Sequence, residues 1–366
     1  MATTTAYTSE SIVVLTGLDP VRRRPGMYFG DTSTDFAMHA MLSEIIGNSL
    51  DEHLRRGAGG YIRIMFAGDR VSVEDDGRGI PIDPVTDGCS ALEVVMTRLH
   101  AGTAIRPHVH VRSDLGGCGA AAVCALASEL VAEVWIHARA HRQRYVRGVP
   151  LGPVEDRGPT TRTGTRISFT PDFTVLAKLP WDIARVAGQA RDLAALTPGL
   201  TMIVDDEACC YPDGVVDHVR YLAGDAHLFE PVHLRASHAG VGVEVALAWR
   251  EHGEPAIHGF VNCARAGGTH VEGLLAGVRA AFAKHLASRR RLPLARGLLA
   301  ILHVDLEDPR FGSPTREWLL DEEVGAAVRT VVRDQLLPQL ADQPALVDWM
   351  LLRQLASTSL PATSPK

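Results

Sequence analysis

The chain of 366 residues is 46% apolar and 22% charged, with a net charge of −6. That length and apolar content suit about two packed domains and exclude a disordered or fibrous chain. The negative balance excludes a basic footprint over the whole surface, and no apolar run approaches the ~20 residues of a membrane-spanning helix. The cysteines, at 89, 118, 124, 209, 210 and 263, form no CxxC pair, so neither a zinc site nor a disulfide framework is expected. Without a signal peptide, reduced thiols and a cytoplasmic location are the simpler expectation.

Residues 1–10 are polar and threonine-rich and read as a free arm. Apolar residues at helical spacing predict a helix over Ala37–Arg55, stopped by Gly57–Gly60. Tyr61–Phe66 and Arg70–Glu74 alternate around Ala-Gly-Asp, as in a hairpin. Ala91–Leu99 reads as a helix and Thr103–Ser113, which lacks periodicity, as a mobile loop. Gly119–Leu130 is small and apolar, as in a buried helix. Strands are expected in Glu133–Arg147 and Thr165–Thr170, and a helix over Ile183–Leu196. In the second half Val241–Arg250, Ala256–Asn262 and Leu298–Leu306 read as strands. Val271–Ser288, Asp321–Ala341 and Leu346–Leu355 read as helices. Ser357–Lys366, rich in proline, serine and threonine, reads as a disordered tail. Strands joined with helices in each half predict an α+β fold in two layered domains.

Within Ser43–His53, Glu44, Asn48 and Glu52 recur at i, i+4 and i+8, so they project from one side of the predicted helix. Further on, VSVEDDGRGIP (Val71–Pro81) runs from an alternating strand into a glycine-broken turn opened by Asp75 and Asp76. A carboxylate and an amide on a helix, beside a strand ending in Asp-Asp-Gly-x-Gly, can form a nucleotide–metal site. Glu44 would orient a water, Asn48 would ligate magnesium through oxygen, and Asp75 would accept from an exocyclic amine. Taken singly, each has a plainer reading: Glu44 as a solvated helix carboxylate, Asp75 or Asp76 as the acceptor of an Asx turn.

Together these motifs resemble the ATPase region of bacterial DNA gyrase B and topoisomerase IV subunits, members of the GHKL superfamily with the Bergerat nucleotide-binding fold. The resemblance rests on VLTGLDPVRRRPGMYFGDT (Val14–Thr32), SEIIGNSLDEH, EDDGRGIP, SALEVVMTRLHAG (Ser90–Gly102) and HRQRYVRGVP (His141–Pro150). RTGTRISFTPD (Arg162–Asp172), GVGVEVALAW (Gly240–Trp249), GGTHVEG (Gly267–Gly273) and EDPRFGSPTR (Glu307–Arg316) continue it in order, so that it covers roughly residues 7–340. It implies a dimerisation arm over residues 1–12, a Bergerat α/β sandwich over 13–222, an α+β transducer domain over 223–352 and a disordered tail over 353–366.

The resemblance also implies ATP and Mg2+ as ligands. Glu44 matches the catalytic glutamate that activates the attacking water, and Asn48 the magnesium-coordinating asparagine. Asp75 matches the adenine-reading aspartate, and Thr165 shares its contact network. Glu52, Gly79 and Ile80 belong to the same ATP-binding set, with Arg78 and Arg142 at its rim; Gly77 and Gly79 would let the backbone approach the base. Tyr7 matches the arm tyrosine that reaches into the partner subunit's ATP site, which implies an ATP-dependent homodimer. Clamps of this family enclose duplex DNA, and Arg289, Arg290 and Arg291, with Arg279 and Arg296 nearby, are the candidates to contact it. A solvated basic face is the plainer reading of those arginines.

The departures matter as much. Ser113–Gly119, SDLGGCG, stands where the family has GGLHGVG. Gly117 and Gly119 persist as amides that could cradle phosphate, but Asp114 adds negative charge and Gly116 replaces the histidine. Thr103, Ala104 and Ile105 stand where the family has a lysine. Pro314-Thr315-Arg316 replaces Gln-Thr-Lys: Arg316 keeps the charge in another geometry, and Pro314 loses an amide donor. ATP binding is therefore better supported than efficient hydrolysis. The TOPRIM motifs and a DNA-breakage domain are absent from the sequence, so DNA cleavage would need other polypeptides, such as a separate TOPRIM or gyrase A-like subunit. Two classes stay open. One is an ATP-hydrolysing, dimerising clamp of the type II topoisomerase kind. The other is a nucleotide-gated regulatory paralogue, or a repurposed ATP-dependent enzyme of a specialised pathway.

Overall fold

A computed structural model gives the fold and describes residues 15–57, 59–85, 88–101, 118–224, 228–286, 296–313 and 316–358. Gly60–Ala67 and Arg70–Asp75 form the antiparallel hairpin that their alternation predicts, pairing Ile62 with Asp75 and Ile64 with Val73. Ile62, Ile64, Val71 and Val73 are buried, as the two-residue period of a strand places them on one face. The hairpin sits inside a nine-stranded sheet. Gly164–Pro171 lies beside Arg70–Asp75, then Ala127–Ile136, then Arg139–Val146; Leu200–Val204 flanks the other side in parallel.

The long helix Phe36–Arg56 lays Met41, Leu42, Ile45, Ile46 and Leu50 into the core it shares with these strands. Burying each such side chain stabilises by about 1.5–3 kcal/mol. The apolar stripe fixes which side of the helix faces the sheet, and therefore where Glu44, Asn48 and Ser49 stand.

A second, five-stranded sheet runs Val232–His238, Val241–Trp249, Leu298–Asp305, Ala256–Val261, Ala264–Arg265. Helices Thr269–His285 and Glu322–Asp342 cover one of its faces in a separate core. From its other face Ala246, Ala248, Leu299 and Ile301 join the first core, together with Val215, Val216 and Val219 of the helix Val215–Ala223. The α+β class expected from the sequence is the observed one. No helix among the described residues is long and apolar enough to cross a membrane.

The structure corrects several boundaries. The helix expected over Gly119–Leu130 is only Ala120–Ala125, and Ala127–Leu130 opens a strand instead. Every residue from Ala120 to Ala127 is buried, and an apolar run without a period does not distinguish a helix from a strand. The last helix, Pro344–Thr358, runs past residue 352 into the segment read as a tail. Leu200–Val204, Val215–Ala223 and Val232–His238 were not anticipated. The arm over 1–12 and the loop Thr103–Ser113 lie outside the described residues.

Candidate functional site

Asp75 ends its strand with a buried carboxylate, 7% exposed. The Ser49 hydroxyl donates to Oδ2 at 2.8 Å; the Gly77 and Thr165 amides donate to Oδ1 at 2.9 and 3.3 Å. Burial raises its pKa to about 6 against these three donors, and the nearby Glu52 charge adds to the rise. All three donors are uncharged, so the carboxylate keeps most of its desolvation cost. The bond from Gly77 is itself an Asx turn, so the structural and ligand-reading interpretations of Asp75 are compatible. Ser49 was missed from sequence. Its signal was a hydroxyl among the buried positions of an amphipathic helix, directly after Asn48.

Thr165 pairs with Asp75 across the two strands. That pairing needs Gly164, at φ +121°, where a Cβ would run into the Asp75 carbonyl. Gly79, at φ +83°, has the same character: a Cβ there would stand 2.9 Å from the Trp135 carbonyl. At Gly77 a Cβ would meet Glu52 and Asp75. Gly164 and Gly79 are thus required by close approach of the protein's own backbone. Ile80 is half-buried against the first core.

Glu44, Asn48 and Glu52 line one side of the long helix as their spacing predicts. Glu44 is buried, and its carboxylate accepts the Gly119 amide at 2.9 Å and the Cys118 amide at 3.1 Å. Asn48, one turn on, is exposed. Glu52 pairs with Arg78 through two guanidinium bonds of 2.7 and 2.8 Å and also accepts the Arg78 amide. Burial pushes the Glu52 pKa up, but these bonds outweigh it and leave the acid below its usual value. The Cys118 thiol donates to the Tyr28 carbonyl at 3.0 Å. Burial and the Glu44 charge push that thiol up to about 11, while Arg316 acts in the opposite direction. Arg316, from the second half of the chain, thus comes near the Glu44–Cys118 end of the site.

One predicted residue is not brought in. Arg142 pairs with Glu133, whose other neighbour in the sheet is Arg166, which in turn pairs with Glu74. Strand alternation puts this row on the face opposite Asp75 and Thr165; in Arg142's own strand the core takes Tyr145 and buries His141 and Gln143. The Arg142 charge acts on Glu129. Tyr7, Gly117, Pro314, Thr315 and the DNA candidates Arg289, Arg290 and Arg291 lie outside the described residues.

Two family models match. Residues 34–175 fit the histidine kinase-, DNA gyrase B- and HSP90-like ATPase model, and residues 214–358 fit the DNA gyrase B model. The DNA gyrase B protein of Thermotoga maritima is 33% identical over 96% of this chain and 59% of its own length. That of Archaeoglobus fulgidus is 33% identical over 95% and 58%. The chain thus spans less than two thirds of these curated relatives. Among solved structures, the 43K ATPase domain of Thermus thermophilus gyrase B, in complex with an aminocoumarin, superposes with a TM-score of 0.75 at 30% identity, covering 93% of this chain and 94% of that one. The gyrase B protein of Myxococcus xanthus gives 0.76 at 26% identity over 90% and 99%.

Proposed function

The chain belongs to the DNA gyrase B family of GHKL ATPases, with the Bergerat sandwich and transducer architecture of that family, and from that membership we propose that it binds ATP with magnesium and hydrolyses it. The observation that carries this reading is Asp75, a buried carboxylate met by three neutral donors and, among the described residues, by no cation. Such a group accepts from the amino group of adenine and repels the carbonyl of guanine, so it selects the base.

Glu44 serves as base for the attacking water from the same helix that sends Ser49 to Asp75. Asn48 is the protein ligand for magnesium. Such an ion keeps several waters and takes phosphate oxygens. Magnesium, when bound, offsets the charge of the phosphates. Arg316 brings positive charge from the second half of the chain. Closure into an ATP-dependent homodimer through the Tyr7 arm, enclosure of duplex DNA against Arg289–Arg291, and cooperation with a separate TOPRIM or gyrase A-like subunit complete the reading.

One observation favours a second reading, a regulatory protein that binds ATP without turning it over. The Glu44 carboxylate already accepts the Cys118 and Gly119 amides, so the base and the amides that would cradle phosphate occupy each other. ATP turnover and ATP affinity, measured on the natural protein and on Glu44→Ala, separate the two. Hydrolysis predicts a loss of turnover of about 10²–10⁴-fold with affinity retained. Unchanged turnover removes Glu44 from the chemistry, and tight binding without turnover in the natural protein supports regulation.

A further inference from the structure

A cleft of about 550 Å³ opens between three helices and the second sheet, and Glu44, Asn48, Asp75 and Thr165 all lie outside it. Its walls come from the helices Phe36–Arg56, Ile183–Leu196 and Val215–Ala223 and from the strand Ala256–Val261 of the second sheet. That volume suits a small organic ligand.

The charge in the cleft runs against the rest of the molecule. Arg185, Arg191 and Arg265 line it, against the single carboxylate of Asp192, in a chain of net charge −6. The carboxylate partner of each guanidinium is distant: 3.7 Å to Asp35, 3.5 Å to Glu207 and 3.8 Å to Asp192, respectively. These pairs leave most guanidinium donors available for a better acceptor.

The polar groups deeper in are fixed. His218 is 2% exposed, its Nε2 lies 2.9 Å from Asp192, and its Nδ1 is buried without a hydrogen-bond partner. Arg265 donates to His258 Nδ1 at 2.7 Å. Burial and the Arg265 charge lower the His258 pKa to about 4. The ring is therefore neutral at pH 7 and carries its proton on Nε2, where it is a donor. Tyr221 and Leu222 add apolar wall, and the Tyr221 ring lies under the Arg191 guanidinium, 5.2 Å from it.

We propose that this cleft is a second binding site, for a small organic anion: a carboxylate or phosphate on a flat apolar body. The arginines take the anionic group and the apolar wall takes the ring. Three helices and the second sheet contribute walls, so an occupied cleft ties those helices to that sheet. The site stands independently of the nucleotide reading.

The test titrates the full chain with phenyl phosphate, benzoate and inorganic phosphate, following the methyl NMR signals of Leu193 and Leu222. It is run with and without a saturating non-hydrolysable ATP analogue. The proposal predicts saturable shifts with phenyl phosphate or benzoate that the analogue leaves in place, and about tenfold weaker binding of inorganic phosphate. Arg191→Ala and Arg265→Ala should each weaken the aromatic anion about tenfold. Arg157→Ala, an exposed arginine elsewhere on the first sheet, should leave it unchanged. The proposal is overturned by absence of saturation up to about 10 mM, by affinity indifferent to both cleft arginines, by inorganic phosphate binding as tightly as phenyl phosphate, or by displacement with the ATP analogue.

Discussion

Two aspartates of the first sheet and its margin, Asp75 and Asp172, expose little surface, 7% and 1%, and burial pushes both carboxyls up, yet they end on opposite sides of the ordinary value. Asp172 receives the guanidinium groups of Arg22 at 2.8 Å and Arg147 at 2.9 Å, with the hydroxyl and amide of Thr174 on its other oxygen. Burial pushes it up, but the bonds from Thr174 and Arg22 outweigh that and hold it at about 2. Arg22 also donates to the Ala125 carbonyl, so this cluster ties the helical turn Asp19–Arg23 to the end of Ala120–Ala125. Asp75 has only neutral donors and sits at about 6. A carboxylate completed from within holds the fold together. One left short of positive charge keeps capacity for a ligand.

The signs of the two contributions differ accordingly. Asp172, lowered in the folded state, adds stability that is complete above its ordinary range and is lost as pH falls through about 2. Asp75, raised in the folded state, costs nothing at low pH, where it is protonated both folded and unfolded. Its cost grows as pH rises from about 4 and is complete above about 6, reaching about 3 kcal/mol at most.

Substitution should separate the pair. Asp172→Asn, by leaving Arg22 and Arg147 without their carboxylate, should lower unfolding stability by about 2–4 kcal/mol in urea titrations at pH 7.5, with nucleotide affinity of the folded protein unchanged. A loss below about 1 kcal/mol would make the cluster a surface pair. Asp75→Asn should do the reverse. Stability at pH 7.5 should hold or rise, while adenine nucleotide affinity falls about 10–100-fold in calorimetry; retained affinity would remove Asp75 from base reading. The smallest effect belongs to Ser49→Ala, which takes one donor from Asp75. Adenosine affinity at pH 7 should fall a few-fold and its pH midpoint should move up. A midpoint that stays put would leave Ser49 as packing alone.

Much of this was legible in the sequence because it rests on period and turn chemistry. The spacing of Glu44, Asn48 and Glu52 gave one helix side, and Asp75-Asp76-Gly77 gave a turn. What escaped was set by pairing between distant segments. Ser49 matters only because the long helix meets the strand that ends in Asp75, and Gly164 only because its strand runs beside that carbonyl. Arg142 was misplaced for the same reason, since its motif gives its neighbours in the chain but not the face of the sheet it stands on. The alanine-rich run after Gly119 carries no period, so its division between helix and strand is decided by the partners Pro171 and Thr170 across the sheet.

The ionisation of Asp75 itself tests the central claim most directly. Carbon-detected NMR of its carboxyl, followed from pH 4 to 8 in the free protein, should give a midpoint near 6. Saturating adenosine should move that midpoint down, because its amino group bonds the ionised form, and guanosine should not. A midpoint near 4 in the free protein, or one that adenosine leaves in place, would contradict the account.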